Sequence, residues 1–490
     1  MSIIEQSLKS SVINYIGIAL GAFFTLYLTP EYLTPEYNGL YRLLLEYAAI
    51  IATYTHWGIP LVINKYYHII NGKDNKGFDF FVFILPLIGF CIVLLLFFIF
   101  KESITRIIAS KSDFDLVYQY ILFMVPIFLC NGYLLIQKNY LAMLGNITFV
   151  NFIQNVMYKL FNILAVIIFI YTKDFKLSMW LIVISNILGV FVVYLKILLL
   201  KKGKISLKPS FEFLTKNGLV NDFLKFFGFI IISNLTTFFI TKIDLFFVSK
   251  FTDLSNVAFY TTASYFVLFL MVPYNSVLSI SFPEITKQYV EGNKQKLFSL
   301  IKGNAMFGFI LSAYIFLLLW LNIDFVYELI PKGEIYQVGK YVFLILAIGR
   351  LIDISIGSIG QLIVASQWYY YTLYFAIFNS LIGITLGYYL TLHYGIYGSA
   401  LAISITMIVS AVFQLLLGFF KFKTLPYDKN TLKILLIIIL TSLVSYAIDM
   451  FYLNKYIIFA LKSIFITIMI FGGVYFFKVN EEINKIISFL

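Results

Sequence analysis

Fourteen apolar runs, parted by short polar stretches, are each long enough to form the helix of about 20 residues that crosses a bilayer core. They are Val12–Leu28, Leu40–Ile63, Phe78–Phe100, Leu116–Ile136, Ile147–Tyr171, Leu177–Leu200, Phe226–Val248, Val257–Phe282, Ile301–Asn322, Tyr341–Val364, Tyr370–Leu392, Ile396–Phe419, Leu432–Tyr452 and Tyr456–Phe477. The fifth carries Lys159, and the eleventh and twelfth are divided only by "HYG". The pattern predicts an all-α polytopic membrane protein of fourteen transmembrane helices.

Composition agrees with the pattern. Of 490 residues, 61% are hydrophobic and 12% charged, more apolar surface than a soluble fold could bury. The net charge of +12 lies in short loops, where it sets orientation instead of marking a nucleic-acid partner. With the N-terminus cytoplasmic, the inner loops hold 21 Lys and Arg and the outer loops 8, so both termini are expected in the cytoplasm. "MSIIEQSLKS" does not read as a cleavable leader. Cys91 and Cys130 fall in different runs without C-x-x-C spacing or a neighbouring His, so neither a disulfide nor a metal is expected.

The one long loop is the basic stretch from Lys201 to Lys225, expected to lie along the anionic inner leaflet as a cytoplasmic linker. It divides the chain into a six-helix lobe (1–200), the linker (201–225), a second six-helix lobe (226–420) and two further helices with a short tail (421–490). A shift of about 220 positions lays one lobe on the other: "TPEYNGLY" (34–41) meets "DLSNVAFY" (253–260), "YLAMLGN" (140–146) meets "LIVASQ" (362–367), and Ser178 meets Ser399. An even number of helices per repeat predicts parallel repeats, with substrate between them.

A charge at mid-bilayer costs about 2.5–3.5 kcal/mol on insertion scales, so such residues face protein or water. Seven stand out: Arg42 and Glu46 in the second run, Lys159 in the fifth, Lys242 and Asp244 in the seventh, and Arg350 and Asp353 in the tenth. Arg42 with Glu46 (i,i+4) and Arg350 with Asp353 (i,i+3) share helix faces and can neutralise themselves. Lys242 and Asp244 are two residues apart, roughly 200° around a helix, and each needs its own partner. Lys242 is also close enough to the outer end to snorkel. Lys159 has no acid on its own helix, which makes it the sharpest candidate for an anionic ligand. Arg42, Lys159, Lys242 and Arg350 form the candidate cationic binding set. Glu46, Asp244 and Asp353 are candidates for structural pairing or for coupling to a proton or sodium gradient. Tyr260, Tyr265 and Asn275 either pack or contact sugar, and the glycine pairs Gly17/Gly21 and Gly383/Gly387 allow close helix approach. No catalytic residue, metal ligand or other cofactor is expected.

Three segments then take on a further meaning: "LTPEYNGLYRLLLEYAAIIATYTHWGIPLVINKYY", "KIDLFFVSKFTDLSNVAFYTTASYFVLFLMVPYNSVLSISFPEITKQY" and "YGIYGSALAISITMIVSAVFQLL". They resemble the polysaccharide transport family, bacterial flippases for lipid-linked oligosaccharides in the superfamily of multidrug exporters and the lipid II flippase. The resemblance covers most of Val12 to Phe420. It rests on Asp244 of an "ID" pair, the step Ala258 to Tyr260, and "P-x-I" at Pro283 to Ile285; Val257-Ala258 stands where the family commonly has a Gly. It implies two lobes around a V-shaped cavity, rocking to expose it to either side. It also implies an undecaprenyl-pyrophosphate-linked sugar chain for O-antigen, capsule or exopolysaccharide, moved across the bacterial inner membrane, with a polysaccharide polymerase and assembly proteins as partners. Two rivals are an ion-coupled drug exporter of the same fold, which predicts an acid-lined pocket, and a polytopic glycosyltransferase, whose support is "SDFD" with Asp113 and Asp115 in an outer loop.

Overall fold

The computed structural model describes residues 3–70, 77–201, 205, 208–210, 212–215, 220–225, 228, 242–449, 454–477 and 479. No strand occurs among them. Ten helices are long and apolar enough to span a membrane, eleven when the bent pair Gly333–Ser355 and Ile359–Ala365 is one span. The chain is therefore a multi-pass, all-helical membrane protein.

By contacts the chain forms two compact units, Met1–Ala258 and Phe259–Leu490. The first contains α1 (Val12–Tyr32), α2 (Pro35–Thr55), α3 (Ile59–Ile70), α4 (Phe78–Ile99), α5 (Phe114–Met143), α6 (Ile147–Thr172), α7 (Phe175–Leu200) and α8 (Ile243–Phe251). The expected second run is split: α2 stops where Trp57 and Gly58 take positive φ (49° and 74°), and α3 resumes beyond them. The His56 ring holds the break by accepting the Gly58 amide at 3.1 Å. Of the expected seventh run, residues 226–227 and 229–241 lie outside the described residues, and α8 is its end. α2 and α7 pack on α5, α6 packs on α7, and the N-terminal half of α1 meets the start of α6. There a methyl group on Gly17 would stand 2.6 Å from Asn155 Cβ, the close approach expected of a small residue.

Described parts of the linker dock on protein. Phe223 is buried against Tyr66 and Phe81, and Asp222 pairs with Lys65 at 3.2 Å. At these residues the linker packs on protein, where Phe223 has an aromatic pocket to fill.

In the second unit, α9 (Leu254–Val290), whose first five residues precede the division, is followed by α10 (Lys294–Trp320), α11 (Lys340–Ser355), α12 (Ile359–Ala365), α13 (Tyr371–Phe422), α14 (Lys429–Ile448) and α15 (Lys455–Phe476). α11 packs on α10 and α13, and α14 and α15 pack on one another and on α10. The expected eleventh and twelfth runs form α13, whose 52 residues would reach about 78 Å if straight. Gly395 interrupts it with φ 56° and ψ −137°, a backbone state open to Gly and strained for side chains. Beyond that point a Cβ on Gly398 would lie 1.9 Å from Leu390 O, so the arms diverge from a very tight reversal.

Helix starts at repeat-related positions share their chemistry. Thr34 caps α2 by accepting from the Tyr37 amide, and Asp253 caps α9 by accepting from the Asn256 amide. Each satisfies a donor that the first turn leaves open. Ser178 and Ser399 are both buried.

Candidate functional site

In the first unit α2 runs antiparallel to the segment containing α8. Gly39 is so close to the first residue of the helix Leu254–Val290 (α9) that a Cβ there would lie 1.7 Å from Leu254 O. Glu36 accepts from Ser255 Oγ at 3.3 Å. Farther along, Tyr47 and Ser249 hydroxyls meet at 3.0 Å. This seam brings Lys242, immediately before α8, to Glu46 on α2, with Nζ to Oε2 at 2.7 Å.

That pair decides between open alternatives. Glu46 does not pair with Arg42 on its own helix, and Lys242 finds the separate partner, on another helix, that its spacing from Asp244 calls for. The cause is the seam, which offers Glu46 a cation whose geometry the i,i+4 spacing cannot match. Arg42 instead lies with its guanidinium carbon 5.6 Å from the Phe24 ring centre and 5.9 Å from that of Tyr41, within cation–π range.

Lys159 comes from α6, two residues after the π-helical segment Ile153–Met157. Arg42 and Glu46 both act on it electrostatically. Among the described residues its ammonium makes no ion pair. Asp244 opens α8 and acts electrostatically on both Lys242 and Tyr47. The first unit thus gathers three cations, Arg42, Lys159 and Lys242, around two carboxylates. The Lys242 and Glu46 side chains keep 39% and 36% of their exposure, and a charge at membrane depth costs least where it faces water or protein. A cluster with net charge +1 can hold an anionic group through charge-assisted hydrogen bonds.

The second unit differs. Arg350 Nη1 meets Asp353 Oδ2 at 3.0 Å on one helix, both side chains less than a quarter exposed. The pair sits one turn before the 53° bend between α11 and α12. The bend is pinned by Tyr274, whose hydroxyl donates to Gly357 O at 2.8 Å, and by Asn304, which donates to Ser358 Oγ at 3.1 Å. Tyr260 is buried, Tyr265 packs edge-on against Phe269, and Asn275 is exposed.

Sequence reasoning missed two clusters. Lys201 reaches Asp79 (3.0 Å) and Tyr140 (2.5 Å), tying the end of α7 to α4 and α5. Lys462, buried in α15, binds Asp449 (2.6 Å) and Leu321 O (2.9 Å). Lys201 had been assigned to a loop, and the one available signal was an acid near a helix end in each case. One carboxylate of "SDFD" has a structural job: Asp113 accepts from Ser110 Oγ (2.8 Å) and the Leu254 amide (2.9 Å).

Comparison with known proteins places this arrangement. The sequence pattern of a family described as "Polysaccharide biosynthesis protein" matches residues 6–289, more than half of the chain. Among solved structures, the lipid II flippase MurJ in an inward closed conformation is similar, with TM-score 0.75 and 17% identity over 96% of this chain and 98% of that one. An inward-facing multidrug resistance MATE family transporter of the MOP superfamily gives 0.63 and 18% over 84% and 94%. A MATE in a bent conformation gives 0.54 and 20% over 85% and 95%. At these identities the likeness is one of fold. No curated protein is matched by sequence.

Proposed function

The chain belongs to the polysaccharide biosynthesis protein family, and from that premise we propose that it is a flippase. It moves undecaprenyl-pyrophosphate-linked oligosaccharide repeat units from the cytoplasmic to the outer leaflet of the bacterial inner membrane, for assembly of O-antigen, capsule or exopolysaccharide. The observation that carries this reading is the cationic cluster of Arg42, Lys159 and Lys242 around Glu46. A pyrophosphate crossing a low-dielectric region needs donors to replace its water, and the Lys159 ammonium has donors to give. The isoprenoid tail stays in lipid while the sugars cross.

In this reading fourteen helices form two six-helix lobes and a C-terminal pair, with both termini cytoplasmic, and the lobes alternate access to a V-shaped cavity. Arg350 joins the binding set when its lobe turns toward the substrate. Glu46, Asp244 and Asp353 are the groups through which a proton or sodium gradient would drive the cycle. A polysaccharide polymerase takes the product. Drug export by the same fold is the second reading, favoured by the MATE likeness; the fuller cover by the MurJ fold, 96% against 84%, and the positive cluster weigh against it.

Deleting the gene and fractionating lipid-linked intermediates tests the proposal. Completed repeat units are expected to accumulate on the inner leaflet; outer-leaflet units at normal abundance would overturn it. Lys159→Ala at normal expression is expected to reduce export at least about tenfold, corresponding to ~1.4 kcal/mol, and unchanged export removes its phosphate role.

A further inference from the structure

The two arms of α13 enclose a groove far from the charged cluster of the first unit in sequence. Its cavity of about 690 Å³ has walls made mostly of rings, Tyr371, Tyr374, Phe375 and Phe378 on the first arm and Phe413 and Phe420 on the second, with Leu416 and Leu417 between the last two. The arms touch where Phe413 meets Phe378 edge-on at 5.0 Å and stacks on Phe375 at 5.7 Å. Elsewhere the rings leave the groove open.

Two features separate this groove from an ordinary lipid-facing surface. The outward face of α14 carries aliphatic residues such as Leu432, Leu436, Leu440 and Leu443, which match straight acyl chains. The α13 groove instead offers flat aromatic faces to its occupant. A cation also closes one end: Lys421 lines the cavity and lies 4.2 Å from the Trp368 ring centre. Among the described residues its ammonium makes no ion pair, so all three of its donors are available. The other large apolar cavity of this unit, about 600 Å³ between α10, α11 and α14, has the Asp428 carboxylate in its lining, which repels an anion.

We infer that the ring-lined groove between the arms of α13 binds the isoprenoid chain of a polyprenyl phosphate, with Lys421 on the phosphate. The identity of the lipid rests on the flippase reading above. Isoprene units are unsaturated and methyl-branched, and they lie flat against aromatic faces. The phosphate gains a charge-assisted bond from an ammonium steadied over an indole. Lys421 is among the loop cations that assign this end to the cytoplasmic side, where an untransported substrate arrives. The groove is therefore a loading site for the carrier lipid, separate from the charges that accompany the sugar-bearing head.

The test is native mass spectrometry of the purified full-length protein with equimolar undecaprenyl phosphate and dioleoylphosphatidylglycerol. Wild type is expected to retain undecaprenyl phosphate about tenfold more than the phospholipid, equivalent to ~1.4 kcal/mol. Lys421→Gln is expected to lower that retention about tenfold while leaving undecaprenol, which lacks phosphate, unchanged. Tyr374→Ala, at an exposed ring, is expected to weaken both polyprenyl lipids. Equal retention of the two anionic lipids, or no effect of Lys421→Gln, overturns the site and leaves annular lipid. Lys176→Gln, at an exposed cation of the first unit that belongs to neither site, serves as a control that must not alter retention. If Lys159→Ala abolishes export while Lys421→Gln leaves retention intact, the groove fails and the flippase reading stands; selective retention by the purified wild type, with export normal after gene deletion, has the reverse meaning.

Discussion

Two acid–base arrangements within the membrane helices look alike in sequence and behave differently in the structure. Arg350 and Asp353 close on each other within α11. Arg42 and Glu46, equally able to share a face, do not, because Glu46 turns to Lys242 across the α2–α8 seam. A pair inside one helix stiffens that helix alone. A pair across two helices makes their relative position depend on a charge, and a ligand that competes for the cation can loosen it.

The comparison breaks hardest at the seam itself. Gly39→Val forces a side chain into the Leu254 carbonyl and is expected to cost about 3 kcal/mol, read as a drop in thermal unfolding temperature in detergent; an unchanged midpoint would mean that α2 and the start of α9 do not pack as described. Next comes Glu46→Gln, which strands Lys242 beside Lys159 and Arg42. Its expected cost is about 1.5 kcal/mol, and Lys242→Gln in the same chain should recover part of it. The corresponding double-mutant cycle is expected to give a coupling of about 1 kcal/mol. Zero coupling would return Lys242 to the headgroups. The smallest effect belongs to the local pair: a cycle on Arg350 and Asp353 should yield about 0.5 kcal/mol, and a value above that for Glu46 and Lys242 would reverse the contrast.

Much of the architecture was legible because membrane spans are written locally. Apolar length alone located α1, α4, α5, α6, α7 and α10, each near its expected place. The choice of charged residues was legible for the same reason, since a Lys at mid-depth is conspicuous against Ile and Phe. Partners were not, because spacing along one helix says nothing about how its neighbour is rotated. Glu46 could be matched with Arg42 by counting, whereas Lys242 lies almost two hundred positions away and reaches it only through the close approach at Gly39. Lys201 escaped notice because it lies at the end of a span, where a cation is ordinary, and Lys462 because no acid stands near it in its own run; their carboxylates come from elsewhere in the fold. The docking of Phe223 was hidden by the surrounding lysines, whose number pointed to the leaflet and not to a waiting pair of rings.

The tight reversal at Gly395 has a consequence for synthesis. With one left-handed residue between the arms of α13, the first arm has no loop with which to settle on the far side before the second emerges. The two must leave the insertion machinery together as a helical hairpin. A bulky residue at position 395 would therefore do its damage before the protein ever reached its working form, as failed membrane integration instead of slow export.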